Sequence, residues 1–383
     1  MFTHIKDALH YIENRRVRHT FEYFKSVLDN ENIDYSLPCI HVTGTNGKGG
    51  TLNYISYILR EAGMKVGTFT SPYIVCHQDR FMINGDIMDD ETLLDYINSN
   101  LEIIEKYNLA MFEIDFIIML QYFKQQKVDI ALIEVGIGGR NDKTNMISPI
   151  ASIITNVGQD HLSQIGPTLL DVAYEKAGII KQNTPSFISQ MNDDITNIFI
   201  DEAKKKSSPL YIVDGIYEDV EGYYHQKNAY FAKMVVNTIF PQISEQTICL
   251  GLKKAKWPGR FERFSCGDAV IYLDGAHNLH AFDILLKTVE KQNFSQKPIF
   301  VYAALKDKDY QEMAGLIKEK GYILHVCKFN DGRALSDEEI ASLNGEIVYE
   351  SIEDAIEKMK LNRQMFIVCG SLHFISQFRN KIV

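Results

Sequence analysis

Through the first half of the chain, short apolar runs alternate with longer amphipathic stretches. Pro38–Val42, Lys65–Phe69, Asp129–Val135 and Ala151–Val157 are rich in Val, Ile and Leu with few polar interruptions, the pattern of strands buried on both faces of a parallel sheet. Between them, Thr51–Ala62 sets Leu52, Ile55, Ile58 and Leu59 at helical spacing, and Glu91–Tyr107 and Glu113–Gln126 read as further helices. Such alternation predicts α/β architecture, a mostly parallel sheet covered by helices.

After Pro185 the pattern weakens. Lys204–Lys206, followed by Ser207, Ser208 and Pro209, reads as an exposed helix end and turn, and a helix containing Ala229–Val236 follows. The alternation then restarts, with strand candidates at Val270–Leu273, Ile299–Ala303, Ile323–Val326, Glu346–Tyr349 and Met365–Val368. Five strands at this spacing predict a second, smaller Rossmann-like α/β domain. The boundary falls near Gly251–Pro258, which holds the single Trp, and divides the chain into residues 1–255 and 256–383.

Composition narrows the function classes. The 383 residues carry a formal charge of −10, which argues against a protein that grips nucleic acid by bulk charge but permits local basic sites for anionic metabolites. Hydrophobic residues make up 45%, enough for a core in each domain. The six cysteines are scattered, with no Cys-x-x-Cys pair, as in a protein kept reduced in the cytoplasm. Charges in every turn of the first twenty residues exclude the apolar segment of a signal peptide, and Ile114–Leu120, the most apolar stretch, is too short to span a bilayer. Neither nucleic acid nor membrane is an expected partner, and the expected state is a monomer.

Candidate chemistry begins at His41–Thr51, HVTGTNGKGGT, between a predicted strand and a predicted helix. Glycines there let backbone N–H groups converge on phosphate oxygens, the helix N-terminus adds partial positive charge, and Lys48 adds a full one. The match to G-x-x-x-x-G-K-[ST] is imperfect: Gly44 stands only three before Gly47, and Gly49 and Gly50 lack the hydroxyl that meets magnesium. Three other polar residues end apolar runs: Ser71 after Lys65–Phe69, Glu134 in IEVGIGGR, and His161 after ASIITNVGQD. Ligands collect beyond the carboxyl ends of parallel strands, so these residues are candidates to converge on the phosphate loop. Each also has an ordinary structural reading, as do Lys176 on a helix, Arg260 beside Glu262, and Asp274 at a strand end.

Taken together and in order, HVTGTNGKGG (41–50), GTFTSPY (67–73), IEVGIGGRNDKTN (133–145), ITNVGQDHL (154–162), EKAGIIK (175–181), HQKNA (225–229), WPGRFE (257–262), LDGAHN (273–278), ALKDKD (304–309) and CGSLHFI (369–375) resemble the folylpolyglutamate synthase/dihydrofolate synthase family of Mur-ligase-like ATP-dependent amide ligases. The resemblance implies a P-loop-type ATPase domain followed by a Rossmann-like ligase domain. It implies ATP and magnesium (two ions), with potassium, as cofactors, and a reduced folate or dihydropteroate and L-glutamate as substrates. The carboxylate would be activated as an acyl phosphate and captured by the glutamate amine. Ser71, Glu134 and His161 would be metal ligands, Lys176 a carbamylated lysine, and Lys48, Lys176 and His277 catalytic. Gly44, Thr45, Asn46, Gly47, Lys48, Gly49, Gly50, Thr51, Asn228, Arg260 and Asp274 would hold the nucleotide, and Phe112, Glu113, Asp142 and Thr144 the pterin end of the substrate. The chain departs from the family pattern at Gly50 (Ser), Tyr73 (His), Asn141 and Lys143, and is shorter around 186–250. A Mur-type ligase with another carboxylate acceptor, and a homologue that binds nucleotide or folate without turnover, are the alternatives.

Overall fold

A computed structural model of the chain describes residues 1–73, 76–159, 162–292 and 294–382. It contains two compact units: residues 1–220 with 226–255, and residues 221–225 with 256–383.

The first unit is built on strands β1 (Cys39–Thr43), β2 (Val66–Phe69), β3 (Phe81–Ile83), β4 (Asp86–Ile87), β5 (Ile130–Glu134), β6 (Ala151–Ile154), β7 (Ser186–Ser189) and β8 (Leu210–Val213). They form one sheet in the order β4-β3-β2-β5-β1-β6-β7-β8. All neighbours run parallel from β2 to β8; β3 and β4 are antiparallel additions at one edge. Strands β1, β2, β5 and β6 are buried at every residue, as their unbroken apolar runs require. The helix Lys48–Glu61 lays Leu52, Ile55, Ile58 and Leu59 on Ile40, Val42, Ile130 and Leu132 of one face. The helix Met111–Gln125 covers the other, with Phe116 and Phe123 beside Phe69, Ala131 and Ile133. Each such buried side chain stabilises the unit by about 1.5–3 kcal/mol. The helix Glu245–Lys254 approaches Lys48–Glu61 so closely that a Cβ on Gly251 would lie 2.5 Å from the Ile58 Cα. Only glycine permits that contact.

Two local features differ from the pattern read along the chain. Glu91–Tyr107 is two helices, Asp90–Ser99 and Leu101–Lys106. Asn100 divides them: its side-chain amide donates to Tyr96 O at 2.8 Å and exchanges hydrogen bonds with Gln121, competing with the helical ladder. The stretch after Pro185 continues the sheet through β7 and β8 on either side of the helix Asp193–Lys205. Strand β8 is an edge strand with Tyr211 and Ile212 exposed, so it lacks the buried-run pattern.

The second unit contains β9 (Glu262–Cys266), β10 (Ala269–Asp274), β11 (Ile299–Tyr302), β12 (Ile323–Cys327), β13 (Ile347–Tyr349) and β14 (Met365–Cys369), in the order β13-β12-β11-β14-β10-β9. Five strands are parallel and β9 pairs antiparallel with β10. That sixth strand alternates partly buried and exposed residues and has no apolar run to announce it. Glu221–His225 belong to this unit through side chains: Tyr272 donates to Glu221 at 2.8 Å, Tyr224 to Asp274 at 2.6 Å, and His225 Nε2 meets Arg260 O at 2.7 Å.

Candidate active site

Strand β1 leads on to β2 toward one edge of the sheet and its neighbour β6 leads on to β7 toward the other, so the carboxyl ends of β1 and β6 meet at a topological switch point. The loop after β1 is shaped for glycine. A Cβ on Gly44 (φ 156°) would meet Thr155 Oγ1 at 1.8 Å, and Gly47 (φ 83°) turns the chain into the helix that begins at Lys48. The loop is braced from the end of β6. Asn156 Oδ1 accepts from the N–H groups of Thr45 (3.0 Å) and Asn46 (2.8 Å), Thr155 Oγ1 donates to Asn46 O at 2.6 Å, and Thr45 exchanges hydrogen bonds with Gly158. The motif ITNVGQDHL therefore contributes Thr155 and Asn156 as loop supports, a role the sequence reading did not assign.

Lys48 is not a freely exposed loop lysine: its side chain is 16% exposed, and Nζ donates to Gly44 O at 2.9 Å. It lies 3.6 Å from Oε1 of Glu134, the last residue of β5, which is 5% exposed. Oε2 of Glu134 accepts the Ser71 N–H at 3.3 Å. The structure thus brings Ser71, Glu134 and Lys48 together; His161 lies outside the described residues. A small cavity is lined by Gly44, Thr45, Lys48, Gly136, Gly138 and Lys176. Lys176, on the helix Leu169–Ala177, is 3% exposed. Asn228 reaches the same loop, since Cβ atoms on Gly47 and Gly50 would meet its amide at 3.0 and 2.7 Å.

The residues expected at the pterin end occupy one neighbourhood. Phe112 and Asp142 both close on Gly136, where a Cβ would lie 2.8 Å from Phe112 Cζ and 3.2 Å from Asp142 Oδ2. Asp142 is buried; Oδ2 accepts from Ile137 N–H at 3.0 Å, and Oδ1 accepts from the N–H (2.9 Å) and hydroxyl (2.5 Å) of Thr144. Burial raises its carboxyl above the usual range, while these hydrogen bonds and Lys143 pull the other way. Glu113 is 1% exposed and turned inward: it accepts from Ala110 N–H at 2.9 Å, meets His19 Nδ1 at 2.8 Å and faces Lys143 at 3.8 Å. It ties the start of its helix to neighbouring segments.

In the second unit, Asp274 ends β10, buried, and accepts from Tyr224, Phe261 N–H and Ala276 N–H. Burial pushes its carboxyl up against the pull of Arg260. A Cβ on Gly275 would stand 3.2 Å from Arg260 Nη1, and His277 Nδ1 lies 2.8 Å from Gly275 O. Arg260, Asp274 and His277 therefore form one group around the end of β10.

Residues 42–252 match the Mur ligase middle domain, and residues 259–372 match the Mur ligase glutamate ligase domain. The chain is 31% identical to the folylpolyglutamate synthase of Lacticaseibacillus casei, over 90% of each protein. It belongs to the folylpolyglutamate synthase group of Mur ligases. To the dihydrofolate synthase/folylpolyglutamate synthase of Bacillus subtilis it is 29% identical across the whole of both chains. The folylpolyglutamate synthase structure from Thermotoga maritima superposes with a TM-score of 0.86 at 26% identity, covering 99% of this chain and 96% of that one. A structure of E. coli FolC in complex with DHPP and ADP gives 0.86 at 25% identity, covering 99% and 98%. The two mostly parallel sheets of this Mur ligase belong to that shared architecture.

Proposed function

We propose that this folylpolyglutamate synthase-group ligase joins L-glutamate to the carboxylate of a reduced folate or dihydropteroate at the expense of ATP. The observation that carries the reading is a braced phosphate loop whose Lys48 lines one cavity with Lys176 and stands 3.6 Å from the buried Glu134. A carboxylate resists attack by an amine. Transfer of the γ-phosphoryl group to it makes an acyl phosphate, the glutamate amine attacks the acyl carbon, and inorganic phosphate departs as the amide forms. Lys48 and the loop N–H groups neutralise the charge that spreads over the transferring phosphoryl oxygens.

The donors near the loop suit magnesium: a carboxylate at Glu134 and a hydroxyl at Ser71 are hard oxygen ligands, and magnesium is commonly held by one or two protein groups plus substrate phosphates. Bound there, it would supply further charge neutralisation to the phosphates. Lys176 is the candidate for carbamylation, in which its neutral amine takes up carbon dioxide and releases a proton. It lies buried in the cavity wall, beside the phosphate loop. Arg260, Asp274 and His277 are proposed to complete nucleotide handling. Among the described residues no helix is long and apolar enough to cross a membrane. The six cysteines are free thiols, which supports work in the reducing cytoplasm.

The deciding experiment is mass spectrometry of parallel incubations of dihydropteroate and tetrahydrofolate with ATP, magnesium and L-glutamate, with ADP release followed alongside. The expected product is heavier by one glutamyl residue, and its appearance requires glutamate and ATP together. Saturable binding without any amide product would instead support a non-catalytic homologue.

Gly50 makes a second prediction. Gly50→Ser fits helical backbone and favours the helix by a few tenths of a kcal/mol. Its Cβ, however, occupies the position 2.7 Å from Asn228 Nδ2 and forces that amide to rotate. The KM for ATP should rise about fivefold, since loss of a neutral hydrogen bond of about 1 kcal/mol corresponds to that factor. Combining it with Asn228→Ala should add nothing. Additive effects would show that position 50 acts independently of Asn228.

A further inference from the structure

We infer that His41 is a positioning residue for the substrate end of the site, holding the Asp142 carboxylate in place through the Thr144 hydroxyl; the inference rests on the ligase reading above. His41 sits in the middle of β1, fully buried, on the opposite face from Ile40 and Val42. Its Nε2 is 2.8 Å from Thr144 Oγ1. Thr144 Oγ1 is in turn 2.5 Å from Asp142 Oδ1.

Proton directions along this chain follow from the groups themselves. Asp142 Oδ1 already accepts the Thr144 N–H and takes the Thr144 hydroxyl as a second donor, so the hydroxyl donates to Asp142. Its oxygen then accepts, so His41 must carry its proton on Nε2. Burial lowers the His41 pKa to about 3, which keeps the ring neutral with one proton. Nδ1 has no hydrogen-bond partner among the described residues, so the ring's polar contact with its surroundings runs through Thr144.

The far end of the chain reaches the cavity. Asp142 Oδ2 holds Ile137 N–H, and the carboxylate packs against Gly136 together with Phe112. Gly136 and Ile137 line the same cavity as Lys48. The next residue, Gly138, has a separate tie, accepting from Thr43 Oγ1 at 2.6 Å. Loss of the His41 donor therefore loosens Asp142 and Phe112 while Thr43 continues to hold the cavity wall nearer the phosphate loop. Substrate binding should suffer more than nucleotide binding.

Three measurements test this. His41→Phe removes the donor at similar volume and should raise the KM for the folate or pteroate substrate about tenfold, with the KM for ATP changed less than twofold. His41→Gln can present an N–H near the Nε2 position and should bring the substrate KM back to within about threefold of the native value. Equal substrate KM values for native, His41→Phe and His41→Gln proteins overturn the inference, as does an equal rise in both KM values. Nitrogen NMR of the native chain labelled at histidine is independent of activity and of variant folding. His41 should appear as a neutral Nε2–H tautomer unchanged between pH 5 and 8 (a range chosen about histidine's ordinary pKa). A Nδ1–H tautomer, or titration in that range, overturns it. If the native chain forms no glutamylated product, the ligase reading falls, and the tautomer alone decides the His41 contact.

Discussion

Lys48→Ala should lower glutamylation turnover by about 10³-fold, the scale expected when one preorganised charge is removed from a developing anion. Nζ lies between the Gly44 carbonyl and Glu134, at the mouth of a helix whose first N–H groups face the same loop. Among the described residues no neighbouring side chain duplicates its position: Lys176 comes from a different helix on the cavity wall. Folding should change little. The substitution removes one ion pair at 3.6 Å and one hydrogen bond to a carbonyl, leaves the apolar stripe of the helix intact, and lets Glu134 keep the Ser71 N–H. The denaturation midpoint should therefore fall by several degrees, a loss of about 1–3 kcal/mol that leaves the protein folded at assay temperature. Turnover should be measured by product mass spectrometry at saturating substrates. A variant that keeps even a tenth of native activity would show that the loop does not cradle the transferring phosphate.

The parts of this molecule that were legible in advance are those where one short-range pattern has one structural outcome. A buried parallel strand needs an apolar run, so β1, β2, β5 and β6 were readable, and a strand–glycine–lysine–helix succession has few uses other than an anion cradle. Edge strands carry no such signature: β8 is half exposed and β9 alternates, because each has solvent on one side. Side-chain networks were the least readable. His41, Thr144 and Asp142 meet across more than a hundred residues of sequence, and the place of Asn228 beside Gly47 and Gly50 depends on a helix far along the chain. Family-like motifs drew attention to Asp142 and Thr144 as substrate residues; their hydrogen bonds explain what holds them. Tyr73, a departure from the family pattern, also acquires a context: its ring lies 5.3 Å from the Arg80 guanidinium and its hydroxyl 3.5 Å from Glu13.

That context belongs to a buried ionic cluster, and His77→Leu should destabilise the protein by about 3–5 kcal/mol, the cost of breaking a buried pair from one side. His77 begins the short helix His77–Arg80 and is held between two carboxylates, Glu13 Oε1 at 3.0 Å from Nδ1 and Asp115 Oδ1 at 2.9 Å from Nε2. Both ring nitrogens face acceptors, so the ring is doubly protonated. Burial opposes that charge, but Asp115 and Glu13 outweigh it and raise the pKa to about 9. Glu13 is correspondingly held below the usual carboxylate range, chiefly by its hydrogen bond to His77. Arg80 Nε stands 3.6 Å from the other Asp115 oxygen, so two cations and two anions join the helices Ile5–Glu13 and Met111–Gln125 to the segment that follows Ser71. Because the folded-state pKa lies above the ordinary value of about 6.5, the folded protein binds this proton more tightly. The contribution is complete below about pH 6.5 and is lost as the pH rises through about 9. Chemical denaturation at pH 7 and pH 10 (chosen to bracket the His77 pKa) should give a larger stability gap between native and His77→Leu at the lower pH. The double variant His77→Leu/Asp115→Leu should recover part of the loss, since it removes the unpaired Asp115 anion from the core while leaving Arg80 with the Tyr73 ring in place of its carboxylate. A gap that is the same at both values, or a double variant as weak as the sum of the two single ones, would mean that His77 stabilises the fold by packing rather than by charge.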